Sequence, residues 1–159
     1  RFNEVQTDEQ IEVMMPLLVK RDARFADLVA AMDTDTKSFQ KIIETVFNYW
    51  VSPECDVPGI QSWQDYHGGV VSAFEGAMAS AASGTDTAIF TSGGTIATIV
   101  GHVLKLTSDR VYEFYEPVFN CSITRIIFNS RKCSLSTFND VGHLHLMSAQ
   151  LNERLVTYR

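Results

Sequence analysis

Several features that mark disulfide-rich, metal-binding and membrane proteins are scarce in this sequence. Its 159 residues contain three cysteines, Cys55, Cys121 and Cys133, and no Cys-x-x-Cys spacing. An odd count without paired spacing predicts neither a disulfide framework nor a zinc site, and it fits the reducing cytoplasm. No apolar run approaches the roughly 20 residues of a membrane helix, and no signal peptide is visible. We therefore predict a cytoplasmic protein that does not act at a membrane.

Positive charge is scarce as well. The chain has 13 Lys and Arg against 19 Asp and Glu, which gives a formal net charge of −6. Because nucleic-acid backbones are bound by stripes of Lys and Arg, we do not expect a nucleic-acid partner. A small phosphate site needs only a few local donors and stays compatible with this charge. The apolar content of 45% and the length suit a single globular domain over residues 1–159.

The region 7–85 has the pattern of successive helices. Thr7-Asp8-Glu9-Gln10 is typical of a capping box, with Thr7 as the N-cap of a first helix. Apolar residues at helical spacing predict a second helix over about 22–32 and a third from near Asp35. A loop with two prolines and a glycine separates these from a longer helix predicted over about 61–82.

The region 86–144 is predicted to hold a core of sheet and helix, followed by a C-terminal tail over 145–159. Ala88–Thr91 is a short apolar run suited to a buried parallel strand, and Thr95–Leu106 has helical spacing. Two β-rich runs, Ser122–Phe128 and Cys133–Phe138, flank a polar tetrad and predict a hairpin. We therefore predict an α/β fold with a mostly parallel sheet flanked by helices and an antiparallel hairpin at one edge.

The turn Ser92-Gly93-Gly94 is the strongest candidate for a binding site. A strand that runs through a glycine turn into a helix directs backbone N–H groups and a helix N-terminus at one point, which favours an anion such as phosphate. Ligands bind at such strand ends in open α/β sheets. The alternative is an ordinary strand-to-helix turn, and the pattern alone leaves both open.

Two other chemistries have weaker support. Ser92 could be a hydrolase nucleophile, but Phe90 stands where the Gly-x-Ser-x-Gly elbow requires glycine. The four histidines, His67, His102, His143 and His145, lack the spacing and carboxylate partners of a metal site. We therefore expect ordinary hydrogen-bonded or surface histidines, no metal and no cofactor.

Four stretches resemble the histidine phosphatase (phosphoglycerate mutase-like) superfamily. Thr91-Ser92-Gly93-Gly94 is similar to its His-Gly-Gly turn, in the form of a Ser-Gly-Gly branch. Asn120–Thr124 is similar to the Asn that begins its next strand, and Phe138–Leu144 to its closing Asn-Asp-x-x-His-Leu sequence. Phe2-Asn3-Glu4 resembles its Leu-x-Glu segment. The resemblance covers residues 1–6 and about 86–159, and the stretch between them resembles a helical insertion.

The resemblance implies a three-layer fold and phosphoryl chemistry. Glu4 would be the catalytic proton donor, and Ser92 and Gly93 would bind the phosphate of a small phosphorylated molecule. The family's phosphate-accepting His lies in an Arg-His-Gly motif, which this sequence does not contain. The chain begins at Arg1 without an initiator Met, and we expect an N-terminal third with its strands to be missing.

Two functions follow from these matches and departures. The intact parent would hydrolyse phosphomonoesters or transfer phosphate through a phosphohistidine, and this chain alone would be inactive. The alternative is a degenerate, non-catalytic protein that binds a phosphorylated ligand or a protein partner, because Ser92 stands where the family has its second histidine. A sheet without its upstream strands also predicts a homodimer or a bound N-terminal segment.

Overall fold

The computed structural model describes residues 7–32 and 34–158 of the chain, with the side chains of 7–11 and of residue 36 left undescribed. Two compact units are present, Arg1–Gly69 and Val70–Arg159, and each is described by itself. The prediction of a single domain stays a prediction. None of the helices within the described ranges has the length and apolar character needed to cross a membrane.

The first unit consists of helices. These are α1 (Thr7–Arg21), α2 (Ala23–Ala31), α3 (Thr36–Val51) and the first residues of α4 (Trp63–Ser80). The carboxylates of Asp22 and Asp35 cap α2 and α3 by accepting hydrogen bonds from the backbone N–H groups of the first turn. The helix predicted from near Asp35 is therefore confirmed, and α1 begins at the residue predicted as its N-cap.

Aromatic side chains close the core of this unit. The rings of Trp50 and Trp63 lie 5.1 Å apart in an edge-to-face arrangement, and Tyr66 stacks against Trp50 at 5.3 Å. The Trp50 indole N–H donates to the carbonyl of Gln61 at 2.8 Å, which fixes the loop before α4. The buried apolar residues of α1–α3 include Met14, Phe25, Ile42 and Val46.

The second unit combines helices with a small sheet. It holds the rest of α4, then α5 (Gly93–Leu104), a 3₁₀ turn (Ser108–Arg110), α6 (Tyr112–Tyr115), β1 (Ile123–Phe128), β2 (Cys133–Asp140) and α7 (Gly142–Leu151). Helix α5 packs against α6 and β2. Its buried residues are Thr95, Ala97, Thr98, Val100 and Gly101.

The predicted hairpin is present, and its second strand is irregular. β1 and β2 pair antiparallel, with Phe128 opposite Cys133 and Ile123 opposite Asp140. The register changes on either side of Arg125, so β2 carries extra residues that β1 does not match. One of them, Asn139, has the left-handed backbone angle φ of 56°. The hairpin is therefore bent at the end that leads into α7.

The predicted buried strand over Ala88–Thr91 is wrong. These residues belong to no strand or helix of the described chain, and Phe90 is 96% exposed. A strand needs a neighbour for its backbone N–H and C=O groups, and the nearest sheet offers none to this segment. In the described residues the sheet is the two-stranded hairpin alone, so the structure has a mixed helix-and-sheet fold, and the mostly parallel sheet is not confirmed.

The predicted C-terminal tail, residues 145–159, begins within a helix that the sequence analysis did not identify. Residues 145–151 belong to α7. The helix was not predicted because its apolar residues do not fall on one face, and Leu146, Met147 and Leu151 are all exposed. The Asp140 carboxylate accepts a hydrogen bond from the N–H of Gly142 at 2.7 Å, which starts the helix directly after β2.

Candidate phosphate-binding turn

The turn Ser92–Gly94 leads from an extended segment directly into α5. Ser92 is the N-cap of the helix, with extended backbone angles of −81° and 162°, and its side chain is exposed. Its carbonyl accepts the first hydrogen bond of the helix, from the N–H of Ile96 at 3.0 Å. The N–H groups of Gly93 and Gly94 lie in the first turn, where the helix itself supplies no acceptor. The structure thus has the helix N-terminus expected at this point.

Hydroxyl groups line the first turn of α5. The Ser92 Oγ lies 3.3 Å from the Oγ1 of Thr95, and the Thr98 hydroxyl donates to the carbonyl of Gly94 at 2.8 Å. Within the described chain the Ser92 hydroxyl makes no capping bond to a backbone N–H of the helix. The Ser92 hydroxyl and the N–H groups of Gly93 and Gly94 therefore lie together at a helix N-terminus, the kind of place where an anion of the size of phosphate binds.

Gly93 is packed closely by the segment that follows α6. A Cβ atom at Gly93 would lie 3.6 Å from both the Cβ and the Cγ1 of Val118 and 3.8 Å from a ring carbon of Tyr115. These are ordinary contact distances, so the Cα of Gly93 has a side chain directly against it. Val118 is therefore the residue that packs against the turn.

Asn139 forms hydrogen bonds with the residues on both sides of Val118. Its side-chain Oδ1 accepts from the N–H of Phe119 at 2.9 Å, and its Nδ2 donates to the carbonyl of Pro117 at 2.6 Å. The backbone N–H of Asn139 donates to the Thr124 hydroxyl at 3.2 Å. One carboxamide therefore holds the backbone on both sides of Val118. The sequence signal was the Asn-Asp pair of the resemblance, but no role could be assigned to it.

Residues near the C-terminus hold the other side of the same segment. Asn120 donates from its backbone N–H to the carbonyl of Thr157 at 3.1 Å and from its side chain to the Thr157 hydroxyl at 3.1 Å. The Tyr158 hydroxyl donates to the carbonyl of Glu116, and its ring meets Phe119 edge-to-face. Residues 116–120 are therefore fixed by β2 and by the chain after α7.

A pocket of about 150 Å³ lies within the second unit, and the residues on either side of the turn, Thr91 and Ile96, are among those that line it. Thr87, Ile89 and Thr91 line it at every second position, whereas Phe90 points away and is 96% exposed. This alternation is that of a β-strand. Its other lining residues are Phe74, Ala77, Met78, Ile96, Ile99, Thr124, Ile126 and Phe128.

Glu4 and the four histidines are the remaining residues whose chemistry was considered from the sequence. Glu4 lies outside the described residues, so its place relative to Ser92 stays a prediction. His67 contacts the Trp63 ring in the first unit. In the second unit His102 lies 3.7 Å from the Glu75 carboxylate, and His143 and His145 are exposed on α7. Across the described residues no three His, Cys, Asp or Glu side chains form a metal-binding group.

Two cysteines are poorly suited to nucleophilic chemistry. Burial raises the pKa of the Cys133 thiol, whose sulfur lies 3.8 Å from the sulfur of Met78. Burial also raises the pKa of Cys55, with a smaller contribution from the charge of Asp56. Because the thiolate is the reactive form, both side chains stay protonated and unreactive near neutral pH.

A family model, the histidine phosphatase superfamily (branch 1), matches residues 5–141. The chain therefore belongs to the histidine phosphatase superfamily. Neither the curated proteins nor the solved structures compared with the chain gave a match.

Proposed function

We propose that the turn Ser92–Gly94 is the phosphate-binding part of a phosphomonoester hydrolase or phosphotransferase that works through a phosphohistidine. Membership of the histidine phosphatase superfamily supports phosphoryl transfer or hydrolysis in general. The observation that carries the proposal is the exposed Ser92 hydroxyl at the N-terminus of α5, beside the backbone of Gly93 and Gly94. The substrate would be a small phosphorylated molecule in the cytoplasm.

Each residue would have a separate task. The N–H groups of the first turn and the Ser92 hydroxyl would donate to phosphate oxygens, and Glu4 would protonate the leaving oxygen as general acid. The nucleophilic His would come from an Arg-His-Gly motif, which these 159 residues do not contain. We therefore propose that this chain by itself is inactive and that the intact parent is the catalyst.

The same proposal extends to the fold. The strand-like alternation of Thr87, Ile89 and Thr91 supports a larger sheet in the intact parent, in which this segment pairs with further strands. We propose that this sheet is mostly parallel, lies between two helical layers and carries the hairpin at one edge.

A non-catalytic protein is the second candidate, and Ser92 is the residue that favours it. A hydroxyl can donate to a phosphate oxygen but cannot supply the positive charge of an imidazolium. A domain with Ser92 would then bind a phosphorylated ligand or a protein partner without hydrolysing it. Charge stabilisation of the transition state would be weaker even with every other residue present.

Phosphatase assays separate these functions. We expect the 159-residue chain to hydrolyse p-nitrophenyl phosphate no faster than the background, because it lacks the phosphate-accepting His. Robust turnover by the chain, abolished by Glu4→Gln, would contradict this expectation.

The intact parent gives the complementary result. If it is an enzyme, it turns over with Ser92 in place, and Ser92→His raises the rate by about tenfold or more through added positive charge. If it is non-catalytic, both forms fail to turn over while phosphate still binds. Failure of both forms to bind phosphate would exclude the two functions together.

A further inference from the structure

We propose that Asn139 is a positioning residue that sets the place of the turn Ser92–Gly94 through Val118. Only the effect on phosphate binding rests on the proposed function. The contacts that connect Asn139, Val118 and Gly93 do not depend on it. Asn139 does not contact the turn, and it acts on Gly93 through one intervening residue.

The backbone conformation of Asn139 directs its side chain. Its φ of 56° is the left-handed conformation, which Asn tolerates better than most residues. It occurs where β2 carries an extra residue relative to β1. Bulges of this kind turn a side chain out of the regular pattern of the strand. Here the carboxamide is directed at residues 117–119 instead of along the face of the hairpin.

The two hydrogen bonds of this carboxamide fix a single residue between them. One bond is accepted from the N–H that follows Val118, and the other is donated to the carbonyl that precedes it. Val118 is buried, with only 8% of its surface exposed. Because both flanking peptide groups are also held, Val118 has little freedom to move. Val118 then lies directly against Gly93.

The consequence reaches the first turn of α5. Gly93 has no side chain of its own to anchor it, so the contact with Val118 limits its position. Binding by preoriented N–H groups is sensitive to displacements of about 1 Å. Loss of the Asn139 bonds should therefore loosen the Ser92–Ile96 turn and weaken its binding of an anion, while the rest of α5 stays in place.

Asn139→Gly is the decisive variant, because glycine keeps the left-handed backbone and removes only the carboxamide. Asn152→Gly is its matched control, since Asn152 ends α7 with a φ of 54°. Amide hydrogen exchange in the 159-residue chain is measured at two N–H groups that donate to carbonyls at the two ends of α5. Ile96 donates to Ser92 at the start of the helix, and Leu106 donates to Gly101 at its end.

We expect Asn139→Gly to speed exchange at Ile96 by about fivefold relative to Leu106, the effect of losing roughly one hydrogen bond. Asn152→Gly should leave the ratio of the two rates unchanged. An unchanged ratio in Asn139→Gly, or an equal rise at both amides, would overturn the inference. If Asn139→Gly does not fold, Asn139→Asp is used instead, because it keeps the acceptor for Phe119 and loses the donor to Pro117. The ratio of the exchange rates at Ile96 and Leu106 is then the test for that variant.

A titration with inorganic phosphate, followed by the amide signals of Gly93 and Gly94, tests the link to function. We expect the wild-type signals to shift and the dissociation constant to rise about threefold or more in Asn139→Gly, from weaker orientation of the donors. Wild-type signals that do not move would contradict the proposed function, whereas the exchange ratio would still decide the role of Asn139. Equal dissociation constants in wild type and variant would overturn the inference.

Discussion

The carboxylate of Asp35 caps α3 through three hydrogen bonds. Oδ1 accepts from the N–H of Lys37 at 3.1 Å, and Oδ2 accepts from the N–H and the hydroxyl of Ser38 at 3.1 and 2.8 Å. The Ser38 hydroxyl bond, with the backbone bonds, holds the pKa of Asp35 below its ordinary value of 3.8. Because the folded-state pKa is the lower one, this stabilisation is present above pH 3.8 and is lost as the pH falls through the folded-state pKa.

Asp35→Asn should therefore lower the melting temperature at neutral pH, and the difference from wild type should shrink as the pH falls below 3.8. Circular dichroism melts over this pH range measure it. Asp22→Asn is the comparison, because the Asp22 carboxylate accepts from the N–H of Arg24 at 2.9 Å and holds a shorter helix. A difference for Asp35→Asn that stays constant with pH would contradict the role of its charge.

Residues whose role is local were predictable from the sequence. Asp35 was identified as a helix start and Ser92–Gly94 as a turn into a helix, because caps and glycine turns act on the next few residues. Asn139 was quoted only as part of a motif. Its role depends on a left-handed backbone and on bonds to residues 20 and 22 positions earlier, which no local pattern contains.

Helix α5 lies close to Val111 at Gly101. A Cβ at this position would lie 3.0 Å from a methyl carbon of Val111, which is closer than side chains normally approach. A Cβ added at Gly76 in α4 would have no neighbouring atom within 4 Å. Alanine substitutions at the two glycines therefore distinguish the effect of packing from the effect of helix propensity.

Gly101→Ala should destabilise the protein by about 1–3 kcal/mol through overpacking. Gly76→Ala should stabilise it by about 0.5–1 kcal/mol, because alanine favours a helix. Urea unfolding of both variants measures the change. Equal effects of the two substitutions would show that the contact with Val111 relaxes without cost.

Elements that carry their own pairing partner were predicted best. The hairpin was found because its two strands and its turn are consecutive, and its second strand ends two residues later than expected, at Asp140. The strand over Ala88–Thr91 has the alternation of a strand but no neighbour in the described chain. Whether such a segment forms a strand depends on distant residues, which an apolar pattern does not reveal.

The exposed Phe90 has a consequence for the molecule as a whole. An exposed segment with strand-like alternation that belongs to no sheet is a template on which another strand can pair. We predict that the chain forms a homodimer or retains a bound N-terminal segment. Size-exclusion chromatography with light scattering should give a mass above the 17.8 kDa of the chain.

Phe90→Asp should shift this assembly towards the monomer without lowering monomer stability, because the ring is 96% exposed. Leu146→Asp, at a 62% exposed position on α7, is the matched control and should leave the assembly unchanged. A wild-type monomer of 17.8 kDa with a cooperative melt and no co-purifying peptide would contradict the prediction.

The bonds between Asn120 and Thr157 join residues 37 positions apart, whereas the hairpin closes across four residues. Hairpins form in about 1–10 μs, and the search for a distant contact lengthens with the chain it must close. The strands should therefore assemble early and the contacts of Thr157 and Tyr158 late. The segment around Val118 then becomes rigid only in the last steps of folding, so a binding-competent turn is among the slowest parts of this molecule to mature.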